Sequence, residues 1–317
     1  MSDRVRANDA DHRSDPDSTL RYGDRLGRYV VTGFAGRGTT SYVYRARREH
    51  SFEPLAIKVL HPHLVVDPAK RRQFYREARL MLRMDHPNVV QFHEILEVEG
   101  KVGFVMDYID GVTLSTWVSR QQTTVDQQTV VGLFVDILRG VAHAHRNGVI
   151  HRDLKPSNIM ITEGEHGLRA EIIDFGVGRA RDEGPTDRDR EKIVGTPAYI
   201  SPEEVRDPED VCASSDLYSL GVMMFETACG RRPFSDGSSR ELLAAHVSES
   251  PPPPRSLNPE LSDHLEEIIL KTLEKRPESR FRSADEMIDA LEETLRRSAE
   301  GRTRGPSVED HIATREW

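Results

Sequence analysis

The sequence predicts an α+β chain of two lobes: a small antiparallel β-rich N-terminal lobe with one key helix, then a larger α-helical C-terminal lobe. Three observations carry this expectation. Between Tyr29 and Ile109, short β-branched or aromatic runs alternate with Gly, Pro or charge, as antiparallel strands do. A single stretch among them has helical spacing instead. Beyond Gly111, apolar residues recur at three- and four-residue intervals, the period of amphipathic helices. The expected organisation is a disordered arm over 1–21, the small lobe and its hinge over 22–110, the large lobe over 111–297 and a flexible tail over 298–317.

Residues 1–21 are rich in Asp, Arg and Ser with almost nothing apolar, too little to offset the entropy of ordering. The strand candidates follow: "RYVVTGF" (28–34), "SYVYRARR" (41–48), "PLAIKVLH" (54–61), "VVQFHEILEVEG" (89–100) and "KVGFVMDYI" (101–109). The helix "DPAKRRQFYREARLMLRM" (67–84) interrupts them, with Pro68 just inside its start and Pro87 beyond its end, and its Met and Leu stripe reads as core. In the second lobe, "QTVVGLFVDILRGVAHAHRNG" (128–148) stops at Asn147-Gly148. Helical patterns recur at 215–230, 239–249, 262–276 and 283–300. "SPPPPRSLNP" (250–259) reads as a rigid connector between helices rather than a ligand for a proline-reading domain.

The 317 residues are enough for two lobes and a substantial core, and the net charge of −9 argues against a nucleic-acid partner. No apolar run approaches the roughly 18 residues of a membrane span, and the N-terminus lacks the apolar core of a signal peptide. Cys212 and Cys229 are the only cysteines, too few for a disulfide scaffold, so a reducing, cytoplasmic location is expected. "HPH" (61–63) and "HAH" (143–145) have no Cys nearby and read as ordinary packed or surface histidines rather than metal ligands.

Chemistry concentrates at four places. In "GFAGRGTTSYVYRA" (33–46), Gly36, Gly38 and the small Ser41 would let backbone amides approach a polyanion, although alone the stretch also fits an ordinary Gly-rich turn. Lys58 stands inside the otherwise apolar "LAIKVL" and needs anions, which Glu77 and a nucleotide phosphate can supply. Taken singly, Lys58 also fits a snorkelling lysine and Glu77 a solvated helix face. "HRDLKPSNIM" (151–160) crowds Arg152, Asp153, Lys155 and Asn158 between apolar flanks, and Asp174 ends another apolar strand in "AEIIDFGVGRA" (170–180). Asn158 and Asp174 offer oxygens suited to Mg²⁺, Asp153 is free to take a proton from a hydroxyl, and Lys155 can meet the charge of a transferred phosphoryl group.

In this order, Gly36-Gly38-Ser41, Lys58, Glu77, "HRDLKPSN", "DFG" (174–176) and "SPE" (201–203) resemble the protein kinase signature set over roughly residues 25–297. "HRDLKPSN" is similar to the Ser/Thr branch, and the style of "DFGVGRA" and "GTPAYISPEE" (195–204) to its bacterial, Hanks-type (eukaryotic-like) members. The resemblance implies the bilobal protein kinase fold and transfer of the ATP γ-phosphoryl group to protein Ser/Thr hydroxyls, with autophosphorylation, in bacterial signalling. It implies ATP and Mg²⁺ as cofactors, Mn²⁺ being an alternative, protein substrates as partners, and dimerisation through the lobes as a further expectation. A pseudokinase scaffold is disfavoured by the full residue set, and a small-molecule phosphotransferase by "GTPAYISPEE".

Carried over by position, the resemblance implies that Lys58 binds the α and β phosphates and pairs with Glu77. Asp153 would orient and deprotonate the acceptor, Lys155 would contact the γ-phosphate, and Asn158 and Asp174 would hold the metal. Gly36, Gly38, Ser41, Val43 and Ala56 would cover the nucleotide, Met106 would guard the back of the adenine pocket, and Asp107, Tyr108 and Ile109 would form the hinge. Thr196 would touch Asp153 and Lys155, Glu203 would pair with Arg280, and Asp216 would fix the catalytic-loop backbone. Met81, Phe92, His151 and Phe175 would stack between the lobes. Three positions depart from the family pattern: Ser41 for a third glycine, Ser201 for Ala and Asp107 for Glu.

The loop from Gly176 to Ser201 is too long for a plain connection and is expected to be regulatory. Its hydroxyls are Thr186, Thr196 and Tyr199, and the family's usual phosphosite falls in "DRDREK" (187–192), which has none. Asp189 or Glu191 is therefore expected to stand in for phosphate on Arg152, with Thr186 or Thr196 as secondary autophosphorylation sites.

Overall fold

The computed structural model describes residues 20–164, 167–175, 197–207, 209–234 and 237–303, the side chains of 197 and 298–303 excepted. The small lobe is built on β1 (Arg25–Leu26), β2 (Tyr29–Arg37), β3 (Ser41–Arg48), β4 (Pro54–Leu60), β5 (Phe92–Val98) and β6 (Lys101–Asp107), with α1 (Pro62–Val65) and α2 (Pro68–Met81) between β4 and β5. The strands form one antiparallel sheet in the order β1-β2-β3-β4-β6-β5. Asp67 caps α2 by accepting from the amides of Ala69 and Lys70, and Pro68 supplies the first helical turn. The helix ends at Met81, short of the Met84 expected.

Alternation along β4 decides which way Lys58 faces. Leu55, Ile57 and Val59 belong to an outer core with Leu26, Tyr29, Val31, Tyr42 and Tyr44. Ala56 and Leu60, the same-face neighbours of Lys58, belong to an inner core shared with Phe74, Ala78 and Met81 of α2. Lys58 is thus delivered to the face covered by α2.

Val89 and Val90 do not extend β5 as their apolar run suggested. The Val90 amide donates to the Ile172 carbonyl and the Ile172 amide to the Asn88 carbonyl, both at 2.9 Å, so these residues pair with the large lobe instead. That lobe begins with β7 (Val112–Thr113), α3 (Leu114–Ser119) and α4 (Gln127–Arg146), and β7 joins β8 (Ile159–Gly164) and β9 (Gly167–Ile172) in a three-stranded sheet. On α4, a Cβ at Gly140 would lie 2.9 Å from the Asn88 carbonyl oxygen and 3.0 Å from Ile172, so glycine there permits the close seating of α4 on the strand that leads to Asp174.

The remaining helices are α5 (Pro202–Arg206), α6 (Ala213–Cys229), α7 (Ser239–Ser248), α8 (Asp263–Thr272) and α9 (Ala284–Thr303). Helix α9 runs past residue 297, where the tail was expected to begin. At the other end, Leu20 is buried in the outer core although it was assigned to the arm, whose residues 1–19 lie outside the described residues. The connector at 250–259 is packed: Asn258 donates to the Ala228 carbonyl at 2.8 Å and the Arg255 amide to Glu266 at 2.7 Å. Among the described residues, no helix is long and apolar enough to cross a membrane.

Candidate active site

Lys58 is the meeting point of three elements. Its Nζ donates to Glu77 Oε1 of α2 at 2.9 Å and to Asp174 Oδ1, just past β9, at 2.6 Å. Burial alone would lower its pKa, but Asp174 and Glu77 outweigh burial and hold the ammonium above its ordinary value. The same cation outweighs burial at Asp174 and keeps that carboxylate below the usual range. Glu77 receives too little of Lys58 to offset burial and the neighbouring Asp174, and its pKa rises to about 7.

The catalytic-loop candidates form a second group. Lys155 Nζ lies 2.5 Å from Asp153 Oδ2, and Asn158 Nδ2 donates to the Asp153 carbonyl oxygen at 2.9 Å. The Ile173 amide donates to the Asn158 carbonyl at 3.0 Å, which ties this loop to the segment bearing Asp174. Beneath the loop, buried Asp216 of α6 accepts from the amides of His151 and Arg152, each at 2.9 Å, and from His145 Nε2 at 2.7 Å. Burial would raise the Asp216 carboxyl, but these donors hold it low. The twin acceptor also explains how Arg152 keeps φ at 67°, a left-handed conformation that a side chain rarely adopts.

His151 is buried, its pKa lowered by desolvation, and its ring stacks on Phe175 at 4.5 Å. A packed role is what this environment allows. Met81, Phe92 and Phe175 lie in the inner core, which both lobes share.

The nucleotide-side candidates gather on the inner face of the sheet. Ala56 pairs with Met106, Val43 pairs with Lys58, and Val43, Tyr108 and Ile109 pack against the inner core. Asp107 turns outward, its carboxylate 2.7 Å from His93 Nε2. Gly36 pairs with Val43, and the Gly38 amide donates to the Ser41 carbonyl at 2.8 Å. No neighbour crowds a Cβ built at Gly36, and at Gly38 the nearest atom is 3.5 Å away, so the hairpin's own packing does not demand these glycines. What they leave open is the backbone's approach to a ligand.

In the seating segment, Glu203 and Arg280 are both buried and paired through two contacts of 2.8 Å. Tyr199 donates to Glu226 at 2.7 Å; burial, with Glu226 second, raises its pKa, so this loop hydroxyl is already engaged. Thr186, Asp189, Glu191 and Thr196 lie outside the described residues. His61 and His145, passed over in the sequence, bond the Gly38 carbonyl at 3.0 Å and Asp216 respectively. Separations of 23 and 71 residues left no local signal for either contact.

Asn158 and Asp174 test well as holders of a hard divalent cation. The Asn158 amide nitrogen is spent on the Asp153 backbone, which leaves its oxygen as the donor, and Asp174 is an anion at ordinary pH. Two oxygen donors are few for an all-protein cage and suit a cation that draws further ligands from phosphates and water. Among the described residues, no group of three His, Cys, Asp or Glu side chains could hold a metal alone.

A sheet lobe joined to a helical lobe, with a lysine paired to Glu77 and Asp174 and an Asp/Lys/Asn loop tied by hydrogen bond to the segment that bears Asp174, defines the protein kinase fold. The protein kinase domain family matches residues 29–291, and the chain belongs to that family. Relatives include serine/threonine-protein kinase PknB of Mycobacterium tuberculosis, 36% identical over 82% of this chain and 42% of its own length. Serine/threonine-protein kinase Pkn1 of Myxococcus xanthus is 33% identical over 86% of this chain and 39% of its own. The chain therefore spans about two fifths of the length of these relatives. Among solved structures, the kinase domain of Mycobacterium tuberculosis PknI superposes with a TM-score of 0.66 at 26% identity, covering 87% of this chain and 99% of that one.

Proposed function

We propose that the chain is a bacterial serine/threonine protein kinase that transfers the ATP γ-phosphoryl group to Ser or Thr hydroxyls of proteins, itself included. The observation that carries the reading is Lys58 bonded to Glu77 at 2.9 Å and to Asp174 at 2.6 Å, beside a loop in which Lys155 meets Asp153 at 2.5 Å. Lys58 binds the α and β phosphates under Gly36, Gly38 and Ser41, with adenine between Val43, Ala56, Met106 and the 107–109 hinge. The acceptor oxygen bonds to the γ-phosphorus as the bond to the β–γ bridging oxygen breaks; the hydroxyl proton goes to Asp153, and ADP leaves. Lys155 offsets charge on the phosphoryl oxygens. Asn158 and Asp174 would hold Mg²⁺, or Mn²⁺ in its stead, which when bound neutralises charge on the phosphates. Catalysis is mostly positioning and charge stabilisation. The chain's work would be on protein substrates in the cytoplasm.

The test is incubation with ATP, Mg²⁺ and a generic protein acceptor, read by intact mass and phosphosite mapping, with Asp153→Asn alongside. Phosphate on Ser and Thr from the wild type, reduced at least about 100-fold in the variant, is the expected result. Unlabelled protein in both would leave a nucleotide-binding scaffold, and label on small alcohols but not on protein would make it a small-molecule phosphotransferase.

A further inference from the structure

The hairpin between β2 and β3 is held by a side-chain tether as well as by its strand ladders. His61 lies just past β4 and is 5% exposed. Its ring meets Tyr42 edge-on at 4.3 Å and stacks on His63 at 5.6 Å. Two hydrogen bonds run from this residue to the hairpin tip: the His61 amide donates to the Thr40 carbonyl at 2.9 Å, and Nε2 reaches the Gly38 carbonyl at 3.0 Å. A carbonyl only accepts, so Nε2 carries the proton.

The direction of this bond matters because of peptide geometry. The Gly38 carbonyl and the Thr39 N–H belong to one planar trans unit and point opposite ways. Tyr42, against which His61 packs, belongs to the outer core, whereas Lys58 alternates onto the inner face with Ala56 and Leu60. Drawing the Gly38 carbonyl toward His61 therefore turns the Thr39 N–H toward the face that holds Lys58.

We propose that His61 is a positioning residue for phosphate binding: by holding the Gly38 carbonyl it aims the Thr39 amide at the nucleotide phosphates. The inference rests on the cleft being a nucleotide site. It assigns His61 no contact with nucleotide and no share in the proton transfer. The tether offsets the ordering that a Gly-rich hairpin would otherwise undergo when ligand arrives.

Calorimetric titration of the full chain with MgADP and, separately, with adenosine tests it. His61→Phe keeps the ring packing and removes the donor; His61→Gln supplies an N–H at a similar reach. MgADP affinity is expected to fall about five-fold in His61→Phe, the loss of one ordinary hydrogen bond, and to return in His61→Gln. Adenosine, which has no phosphate, is expected to bind all three proteins alike. Unchanged MgADP binding by His61→Phe, an equal loss for adenosine, or no recovery in His61→Gln would overturn the inference. A wild type that binds neither probe would overturn the reading of the cleft and this inference with it.

Discussion

One lysine between two partly buried carboxylates can balance only one of them. Asp174 takes the larger share and stays ionised, and Glu77, deep in the same contact, holds its proton to about pH 7. In the unfolded chain Glu77 returns to an ordinary value near 4.5. Between those values the folded state binds a proton that the unfolded state does not. The stabilisation from Glu77 is therefore complete below about 4.5 and is lost as the pH rises through about 7. Asp174 has the opposite sign: its contribution is present above the ordinary carboxylate range and lost only in acid. Glu77→Gln carries the shape of the protonated side chain at every pH. Urea unfolding near pH 6 and near pH 8.5 is expected to show the variant losing less stability across that interval than the wild type, by about 1.4 kcal/mol. Comparison with the variant also cancels Glu204, another carboxyl that burial raises to about 7. Parallel curves for the two proteins would mean that Glu77 is ionised throughout and Lys58 serves both acids equally.

Single buried polar residues also join elements of the large lobe. Asp216 ties α6 to the catalytic loop, and Arg280 ties the segment between α8 and α9 to α5 and α6. Arg280 meets both oxygens of Glu203 at 2.8 Å and donates to the carbonyls of Ser214 at 2.9 Å and Glu274 at 2.7 Å. Ser215 completes the shell of Glu203 with a bond of 2.7 Å. Burial opposes the Glu203 charge, and Arg280 overrides it, so the carboxylate sits below its usual range. Arg280→Met would strand that carboxylate, an expected loss of about 3–5 kcal/mol in urea unfolding. Adding Glu203→Leu removes the stranded charge and is expected to restore at least about 1 kcal/mol. If the double variant falls by the sum of the single losses, the pair is not the brace. At this scale much was legible in the sequence: α4, α6, α7, α8 and the strand cores announced themselves by period, and Glu203, Arg280 and Asp216 by motif. The late start of β5 was not, because Val89 and Val90 are as strand-like as their neighbours and only a partner in the other lobe, Ile172, claims them.

Across the whole molecule, the two lobes do not have separate interiors. The inner core runs unbroken from Ala56 through Met106 and Leu114 to Leu291, while the outer core is confined to the upper face of the small lobe's sheet. Membership divides the sheet. β4 and β6 contribute to both cores, through Ala56 and Leu60 against Ile57 and Val59, and through Phe104 and Met106 against Val105. The buried apolar side chains of β1, β2 and β3 serve the outer core alone. The sequence reveals two lobes but not this division, because "PLAIKVL" is apolar at nearly every position and its period cannot say which face each side chain takes. Lys58 breaks that run, which made it conspicuous; the His61 contact to Gly38 depends on a face and a fold, and so stayed hidden. The division has a consequence for dynamics, since elements held by one core open at lower free energy than those held by two. In hydrogen exchange without ligand, amides of β2 and β3 are expected to exchange before those of β4 and β6, which should follow the helices α4 and α6. If the cleft takes MgADP as proposed, the ligand spans both groups, so it should slow β2 and β3 more than β4 and β6 and narrow the gap, by at least about ten-fold in exchange rate near 100 times its Kd. Equal protection of all four strands without ligand would mean that the outer core alone holds the hairpin as firmly as two cores hold its neighbours. A gap that persists under saturating MgADP would mean that the hairpin gives the nucleotide no contact, and the tether of Gly38 by His61 would then have nothing to position.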